Sequence, residues 1–397
     1  MANVRTQVAI LGAGPAGLLL AHLLHLRGID SVVLERQTRD YIERRIRAGV
    51  LEQGTVDLLD DIGLADRLLR QRLVHQGLEL LFDGVSHRIP LADLTGRELT
   101  IYAQHELVKD LVAARLETGR PLLFEAPATS VTELSGAKPA VHYVHNGQTL
   151  ELQCDFVAGC DGFHGVSRQS IPDSELTAYD HEYPFSWLGV LTEAPPSSDE
   201  IIYANHDRGF ALHSMRSPTI TRLYLQVAPD EDLATWPDDR IWQELRTRLD
   251  RDTGFELADG PILDKGITAL RSHVVEPMRY GRLFLAGDSA HIVPATGAKG
   301  LNLAVADVSV LAGAIEESYT TGRTTALDGY SATCLRRVWR VQHFSWWMTQ
   351  MLHQLPDGDP FGRQLQLSQL RYLTSSTAAA TSFAENYVGL PLPKQGG

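Results

Sequence analysis

Gln7-Val8-Ala9-Ile10-Leu11-Gly12-Ala13-Gly14-Pro15-Ala16-Gly17 is the stretch on which the fold turns. A short apolar run ends in a glycine turn, and the turn opens into the helix-forming segment Pro15–Arg27. Ser31–Leu34 follows, β-branched and apolar, so the order reads strand, turn, helix, strand. Each glycine answers a steric need. Gly12 makes the tight turn, Gly14 lets a pyrophosphate approach the backbone, and Gly17, next to Ala16, lets helix and strand pack closely. The helix N-terminus presents free N–H groups and a positive dipole end to phosphates. Glu35 closes the second strand, where a carboxylate can accept both hydroxyls of a ribose. Together these features predict a dinucleotide-binding βαβ unit.

The rest of the composition narrows the class. The chain has 397 residues, 44% hydrophobic and 21% charged, which suits two or three globular units rather than a disordered chain. Lys plus Arg number 36 against 49 Asp plus Glu, a formal net charge of −13. Such an acidic body repels polyanions, so a general nucleic-acid binder is not expected. Cys154, Cys160 and Cys334 are too few and too scattered for a disulfide framework or a metal cluster. No stretch is long and apolar enough for a membrane span, and a cytoplasmic protein is expected.

Further along, His105–Thr118 reads as a helix, and 122–134, 140–144 and 149–158 read as strands. From about 181 to 228 short Tyr, Phe, Val and Ile runs predict a second sheet. Arg282–Ala286 returns to a buried strand, Leu301–Glu317 is helical, and two longer helical patterns follow residue 325. Two phrases stand at strand ends. Cys160-Asp161-Gly162 follows one apolar run, and Leu283-Phe284-Leu285-Ala286-Gly287-Asp288-Ser289-Ala290-His291 contains another. Asp161 and Asp288 there can each cap a helix or bind the ribityl or ribose part of a dinucleotide.

This three-part pattern resembles the FAD-dependent aromatic hydroxylases, the single-component flavoprotein monooxygenases. The resemblance extends through Arg45-Ile46-Arg47-Ala48-Gly49-Val50-Leu51-Glu52-Gln53-Gly54, Tyr203-Ala204-Asn205-His206, Thr296-Gly297-Ala298-Lys299-Gly300-Leu301-Asn302, Phe344-Ser345-Trp346-Trp347-Met348 and Glu385-Asn386-Tyr387-Val388-Gly389-Leu390-Pro391. It implies an α/β fold with three parts. A Rossmann-like FAD-binding domain takes 1–75, 100–180 and 268–320. A mixed β-sheet substrate domain takes 76–99 and 181–267. A helical region takes 321–397. It also implies FAD as cofactor, NADPH (or NADH) and O2 as co-substrates, an aromatic acid as substrate, no metal and a homodimer. The implied reaction adds one oxygen to 4-hydroxybenzoate beside its phenolate. For FAD, the resemblance adds Arg45, Arg47, Val50 and Gln104, with Leu301 and Asn302 at the isoalloxazine edge, to Gly12, Gly14, Ala16, Gly17, Glu35, Asp161 and Asp288.

The substrate residues have an argument of their own. Ser214, Arg216, Arg222 and Tyr224 flank the turn Ser217-Pro218-Thr219-Ile220. Strand side chains alternate, so these even positions share one face. Pairing 216 with 222 and 214 with 224 gathers two guanidiniums and two hydroxyls. Such a face is either a carboxylate pocket, gripped by charge-assisted bonds, or an exposed basic edge. The resemblance favours the pocket and includes Met215. Tyr203, Tyr387 and His75 share no spacing, and their residue types alone indicate ordinary core or surface positions. The resemblance makes the tyrosines a hydrogen-bonded chain to the substrate phenol, with His75 at its solvent end and the Ala295 carbonyl beside the phenol. Ala295 replaces a second proline usual after Pro294, and Ile201 a usual leucine, which loosens the expectation of a strict pocket. For NADPH the resemblance points to Arg36, Gln37, Tyr41, Arg45, Arg47, His164, Arg168 and Arg271. Arg36 is well placed for a 2′-phosphate, whereas Arg44 reads as a solvated surface charge.

Overall fold

The computed structural model describes residues 4–45, 47, 49–136, 138–251, 254–355 and 358–392. Ile46 and Ala48 of the phrase beginning at Arg45 lie outside them. A six-stranded sheet forms the first layer, in the order Arg279–Tyr280, Leu283–Leu285, Phe156–Gly159, Val8–Leu11, Ser31–Leu34, Leu122–Leu123. All neighbours run parallel except the first pair. Val8–Leu11, Ser31–Leu34 and Phe156–Gly159 are buried along their whole length, as parallel strands covered on both faces must be. The helices Pro15–Leu26 and Gly300–Thr321 pack against each other beside this sheet.

The glycine turn is where these pieces meet. Gly12 has φ +98°, and a Cβ there would lie 2.4 Å from the Cys160 carbonyl oxygen. A Cβ on Gly17 would lie 2.0 Å from the Gly12 carbonyl oxygen. Only glycine permits either approach. The ends of four parallel strands then gather the Gly12–Gly17 turn, Glu35, Asp161 and the Gly287–Ser289 turn at one edge of the sheet.

An eight-stranded sheet forms the second layer, in the order His291–Ile292, Ile262–Glu276, Thr177–Thr192, Ile220–Val227, Ala211–Ser217, Ile201–Asn205, Leu78–Phe82, Val85–Ile89. Thr177–Thr192 and Ile262–Glu276 are single long strands that pair along most of their length. The expected divisions at 180/181 and 267/268 therefore fall inside continuous strands. A three-stranded sheet, Val50–Leu51, Leu99–Ile101 and Leu73–His75, lies between the large sheets in the chain order. A four-stranded sheet also takes in Ala128–Thr132, Ala140–His145 and Gln148–Gln153.

Two expected strands are each broken in two. The 122–134 segment divides into Leu122–Leu123 and Ala128–Thr132, because Glu125 adopts φ +53° and Pro127 cannot donate. The 149–158 segment divides at Cys154-Asp155, where the chain passes from one sheet to another. Beyond residue 325 there are three long helices rather than two, Tyr330–Leu352, Pro360–Ser375 and Thr377–Val388. Asp359 and Ser376 cap the last two through their side chains, which separates what reads as one continuous pattern. Among the described residues no helix is long and apolar enough to cross a membrane.

Candidate active site

The sheet edge forms a groove with dinucleotide chemistry. No side chain caps the helix Pro15–Leu26, although Ala16 and Gly17 in its first turn are buried. Such a terminus needs acceptors from elsewhere, and phosphate oxygens are suitable ones. A Cβ on Gly14 would meet nothing within 4 Å, so its Cα faces open space. Asp288 is exposed and makes no hydrogen bond or ion pair within the described chain. Its turn is instead stapled from behind. Asp307 accepts the Gly287 N–H at 3.0 Å and meets His291 Nε2 at 2.6 Å. Burial works against a charged ring, yet Asp307 carries the His291 pKa above its ordinary value. Gln104, at the start of the helix Gln104–Glu117, is half-buried, and Arg47 lies within electrostatic reach of Asp288 and Arg45. An uncapped buried helix end, an open glycine and a free carboxylate fit FAD.

Two acidic residues carry structural duties here. Glu35 accepts the Ala13 N–H at 2.7 Å and the Gln37 N–H at 2.8 Å, so it braces the glycine turn while keeping its remaining lone pairs. Both oxygens of Asp161 turn to Ser167, one to its N–H at 3.0 Å and the other to its hydroxyl. Of the two roles expected for Asp161, the structure shows the capping one, on the short helix Val166–Gln169, and as with Glu35 each oxygen keeps a further lone pair. Asn302 is similarly committed. Its Oδ1 accepts from the Glu52 N–H and the Thr55 hydroxyl, and its Nδ2 donates to the Val50 carbonyl. What Leu301 and Asn302 offer outward is backbone N–H, at the uncapped start of the helix Gly300–Thr321.

The hairpin Ala211–Ser217/Ile220–Val227 carries the second half of the site. Its register is two residues away from expectation. Ser214 pairs with Arg222 and Leu212 with Tyr224, because the ladder bulges between Met215 and Ser217 and leaves Arg216 as the extra residue. The four side chains still converge. Arg216 Nη1 donates to the Ser214 hydroxyl at 2.8 Å and to the Met215 carbonyl at 3.1 Å. The Arg222 guanidinium lies 5.1 Å from the Tyr224 ring centre. Burial alone would raise the Tyr224 phenol, but Arg216 and Arg222 together hold it below its ordinary value. Burial also draws Arg216 down. Arg222 has one carboxylate in range, the exposed Asp264, at a loose 3.6 Å. The pocket is thus an excess of buried positive charge awaiting an anion. Met215 contributes its carbonyl, since its side chain alternates to the other face.

Tyr203 and Tyr387 meet at 2.6 Å between hydroxyl oxygens, both rings buried. Tyr203 also donates to the Thr296 carbonyl at 3.0 Å. Burial pushes both phenols above their ordinary values, Tyr387 well above. Arg216 and Tyr224 are near enough to act on Tyr203, so the cationic pocket and the tyrosine pair adjoin. The carbonyl that meets this pair belongs to Thr296 and not to Ala295. Ala295 is exposed, and its carbonyl accepts from Ala298 N–H at 3.0 Å. His75 is buried with neither ring nitrogen hydrogen-bonded to the chain, and it reaches neither tyrosine by a direct bond.

Several participants have no legible signal in the sequence. Gly189 sits opposite Tyr224, and a Cβ there would lie 2.6 Å from Arg222 Nη2, so its bareness makes room for the guanidinium. His353 accepts the Trp187 indole N–H at 2.7 Å and stacks on Phe185 and Phe210 with ring centres 4.5 and 4.3 Å away. That stack backs Tyr224, whose ring lies 4.8 Å from Trp187. Lys299, within a phrase quoted above, is buried and donates to Glu52 at 2.8 Å and to the Tyr387 carbonyl at 2.5 Å. Burial lowers its pKa against the pull of Glu52.

The eight residues expected at NADPH fall into two groups. Arg36, Gln37, Tyr41, Arg45 and Arg47 follow the strand Ser31–Leu34, with Arg45 6.0 Å from the Tyr41 ring centre. Arg44 pairs with Asp40 at 2.8 Å as a surface charge. His164, Arg168 and Arg271 gather around Phe163. Arg168 and Arg271 lie 4.4 and 4.2 Å from its ring centre, and the His164 ring lies edge-on at 5.0 Å. Among the described residues, three free cysteines are buried and no group of metal ligands occurs.

Residues 5–345 match the family model described as FAD binding domain. The chain is 47% identical over 392 residues to p-hydroxybenzoate hydroxylase of Acinetobacter baylyi, covering 98% of this chain and 97% of that one. It is 25% identical to a probable NADH-specific resorcinol 4-hydroxylase of Rhodococcus jostii, covering 82% and 61%. Among solved structures, p-nitrophenol 4-monooxygenase of Pseudomonas putida superposes with a TM-score of 0.81 at 19% identity, covering 98% and 99%. Aklavinone-11 hydroxylase in complex with FAD and aklavinone gives 0.73 at 21%, covering 89% and 70%.

Burial holds three histidines neutral, and this sets a pH dependence. His75 and His213 are pulled down to about 4 and His353 to about 3, all mainly by burial. An unfolded histidine titrates near 6.5, so below that pH the unfolded chain binds protons that the folded chain refuses. Their contribution is complete above about pH 6.5 and declines as pH falls toward 4, by about 1 kcal/mol per pH unit for each. His291 opposes them, one against three. Melting temperature should fall clearly from pH 7 to pH 5 in thermal scans, and an unchanged value would contradict the buried neutral state.

Proposed function

The chain belongs to the FAD-binding aromatic hydroxylase family, and from that membership we propose that it converts 4-hydroxybenzoate to 3,4-dihydroxybenzoate with NADPH and O2. The observation that carries the reading is the join between the Ser214–Arg216–Arg222–Tyr224 cluster and the Tyr203–Tyr387 pair. One end suits a carboxylate and the other a phenol, which is the polarity of a para-hydroxy acid. FAD, held by the glycine turn, Asp288 and the first turn of Gly300–Thr321, supplies hydride acceptance from NADPH and the activation of O2.

The side chains bind, orient and move a proton. Arg222 and Arg216 grip the carboxylate, with Ser214 and Tyr224 completing its hydrogen bonds. Tyr203 accepts the proton of the substrate phenol while passing its own to Tyr387. Hydroxyls both donate and accept, so the pair relays a proton without burying a net charge. The substrate phenolate is the stronger nucleophile at its ortho carbon. His75 is the solvent end of this route in the proposal, and its missing hydrogen bonds call for bridging water. The Ala295 carbonyl faces the substrate in the same reading, next to the Thr296 carbonyl that already engages Tyr203. Arg36 beside Glu35 supports NADPH over NADH, through a 2′-phosphate. The FAD-binding and substrate-binding parts interleave along the chain, and we place a homodimer in the cytoplasm, in keeping with three free thiols.

Mass and regiochemical analysis of the product from 4-hydroxybenzoate, NADPH and air tests the proposal. One oxygen gained at the 3-position is the expected result, and NADPH oxidation with no oxygenated product from this acid overturns it. Arg222→Ala should weaken 4-hydroxybenzoate binding by a hundredfold or so, since a charge-assisted bidentate pair is lost (roughly 3 kcal/mol); equilibrium titration of flavin fluorescence reads this directly. Tyr203→Phe keeps the ring and removes the relay hydroxyl. It should leave NADPH oxidation running while the yield of hydroxylated product per NADPH drops below half, and full coupling would take Tyr203 out of the relay.

A further inference from the structure

We propose that His273 is a positioning residue for nicotinamide-nucleotide binding, its ring fixed by Asp180 so that it holds the Arg168 guanidinium against Phe163. The inference rests on the expectation above that Arg168 and Arg271 take part in NADPH binding.

His273 lies on the long strand Ile262–Glu276, directly opposite Asp180 on Thr177–Thr192. Its side chain is 4% exposed. Nδ1 stands 2.7 Å from Asp180 Oδ1, and Nε2 stands 3.2 Å from Arg168 Nη1. The two partners dictate the ring's proton. A carboxylate only accepts and a guanidinium only donates, so Nδ1 carries the hydrogen and Nε2 offers its lone pair to Arg168. The opposite tautomer would set N–H against N–H and lone pair against lone pair.

Arg168 is thereby held at three points. Nη1 donates to His273, Nη2 donates to the Phe163 carbonyl at 2.8 Å, and its Cζ lies 4.4 Å from the centre of the Phe163 ring. The His273 ring meets the same phenylalanine edge-on at 4.9 Å, and Arg271 lies 4.2 Å from its centre. Among the described residues no carboxylate comes within ion-pair distance of Arg168 or Arg271, in a chain of net charge −13. Two guanidiniums on one aromatic ring, with Asp180 and Asp161 acting on Arg168 only from beyond ion-pair distance, form an anion-binding surface. His273 neutralises neither of them, because a neutral acceptor fixes a cation without cancelling its charge. A carboxylate in its place would form an internal ion pair and compete with a phosphate.

The test compares three variants of the FAD-loaded protein. His273→Leu removes the acceptor, His273→Gln places an amide oxygen at a similar reach to Nε2, and Arg168→Gln removes the guanidinium. Steady-state KM for NADPH and kcat are measured for each, with FAD content and 4-hydroxybenzoate affinity as controls for folding. His273→Leu should raise KM for NADPH at least fivefold with kcat at saturating NADPH changed less than twofold, and His273→Gln should recover most of the loss. If Arg168→Gln raises KM and His273→Leu does not, the positioning role is overturned and the assignment of Arg168 to NADPH stands. If Arg168→Gln leaves KM unchanged, that assignment fails and the proposal fails with it. If both histidine variants shed FAD and melt early together, the ring is a packing element only and the proposal is overturned.

Discussion

Two carbonyl oxygens set the architecture of this protein. The Gly12 and Cys160 carbonyls approach positions where any Cβ would lie within 2.4 Å. Because those positions are glycines, Pro15–Leu26 can settle directly on the strand it follows, and Phe156–Gly159 can lie beside that strand. The close approach brings the ends of these two strands together with an uncapped helix terminus. A phosphate site created in this way depends on backbone, not on side chains, and so tolerates the small acidic residues around it. Asp307 applies the same logic from behind. By taking the Gly287 N–H and His291, it releases Asp288 from any structural duty and leaves its carboxylate for a ligand.

The substrate end is built on the opposite economy, with side chains in place of backbone. Arg216 is kept where burial disfavours its charge, and Arg222 is balanced only loosely by Asp264. The neighbouring sheet accommodates them through Gly189, and an aromatic stack of Phe185, Trp187, Phe210 and His353 stiffens the wall behind Tyr224. Rigid walls matter because a pre-formed cationic pocket binds an anion without ordering costs at the moment of binding. His353 illustrates the trade. Its burial holds the ring neutral, and that neutrality lets it accept from Trp187 and donate to the Thr349 carbonyl at 2.9 Å.

What the sequence made legible follows from locality. The βαβ unit was readable because its signals lie within thirty residues or so and each has a steric cause. The shared face of Ser214, Arg222 and Tyr224 was readable because strand parity survives a shift of two. The pairing itself was not, since a bulge at Arg216 depends on contacts across the sheet and not on the turn residues. The same limit hides Gly189, whose role exists only relative to Arg222 on the next strand. Lys299 and Thr296 were inside a quoted phrase, but their partners Glu52 and Tyr203 lie far away in sequence. His75 shows the reverse case, a residue singled out by resemblance whose direct protein contacts do not include the tyrosines.

The placement of protons follows from these burial costs. The chain buries a lysine, guanidiniums and at least five histidines, and the proposed reaction asks its substrate to lose and regain one proton. Asp307 carries His291 above its ordinary value, whereas burial lowers Lys299 and His273 in spite of Glu52 and Asp180; His75, His213 and His353, with no carboxylate at ion-pair distance among the described residues, are held neutral by burial. Tyr203 and Tyr387 sit between these regimes. Their phenols are raised by burial and so remain uncharged, and in the proposed relay a proton hops across the 2.6 Å contact while rotation of the hydroxyls resets the pair. A histidine in either place would have to become an imidazolium beside Arg216 to accept the substrate proton, and the same field that grips the carboxylate would oppose it. In the proposed relay the anion-binding pocket therefore favours hydroxyl groups at the two positions next to the substrate and leaves a histidine for the solvent end.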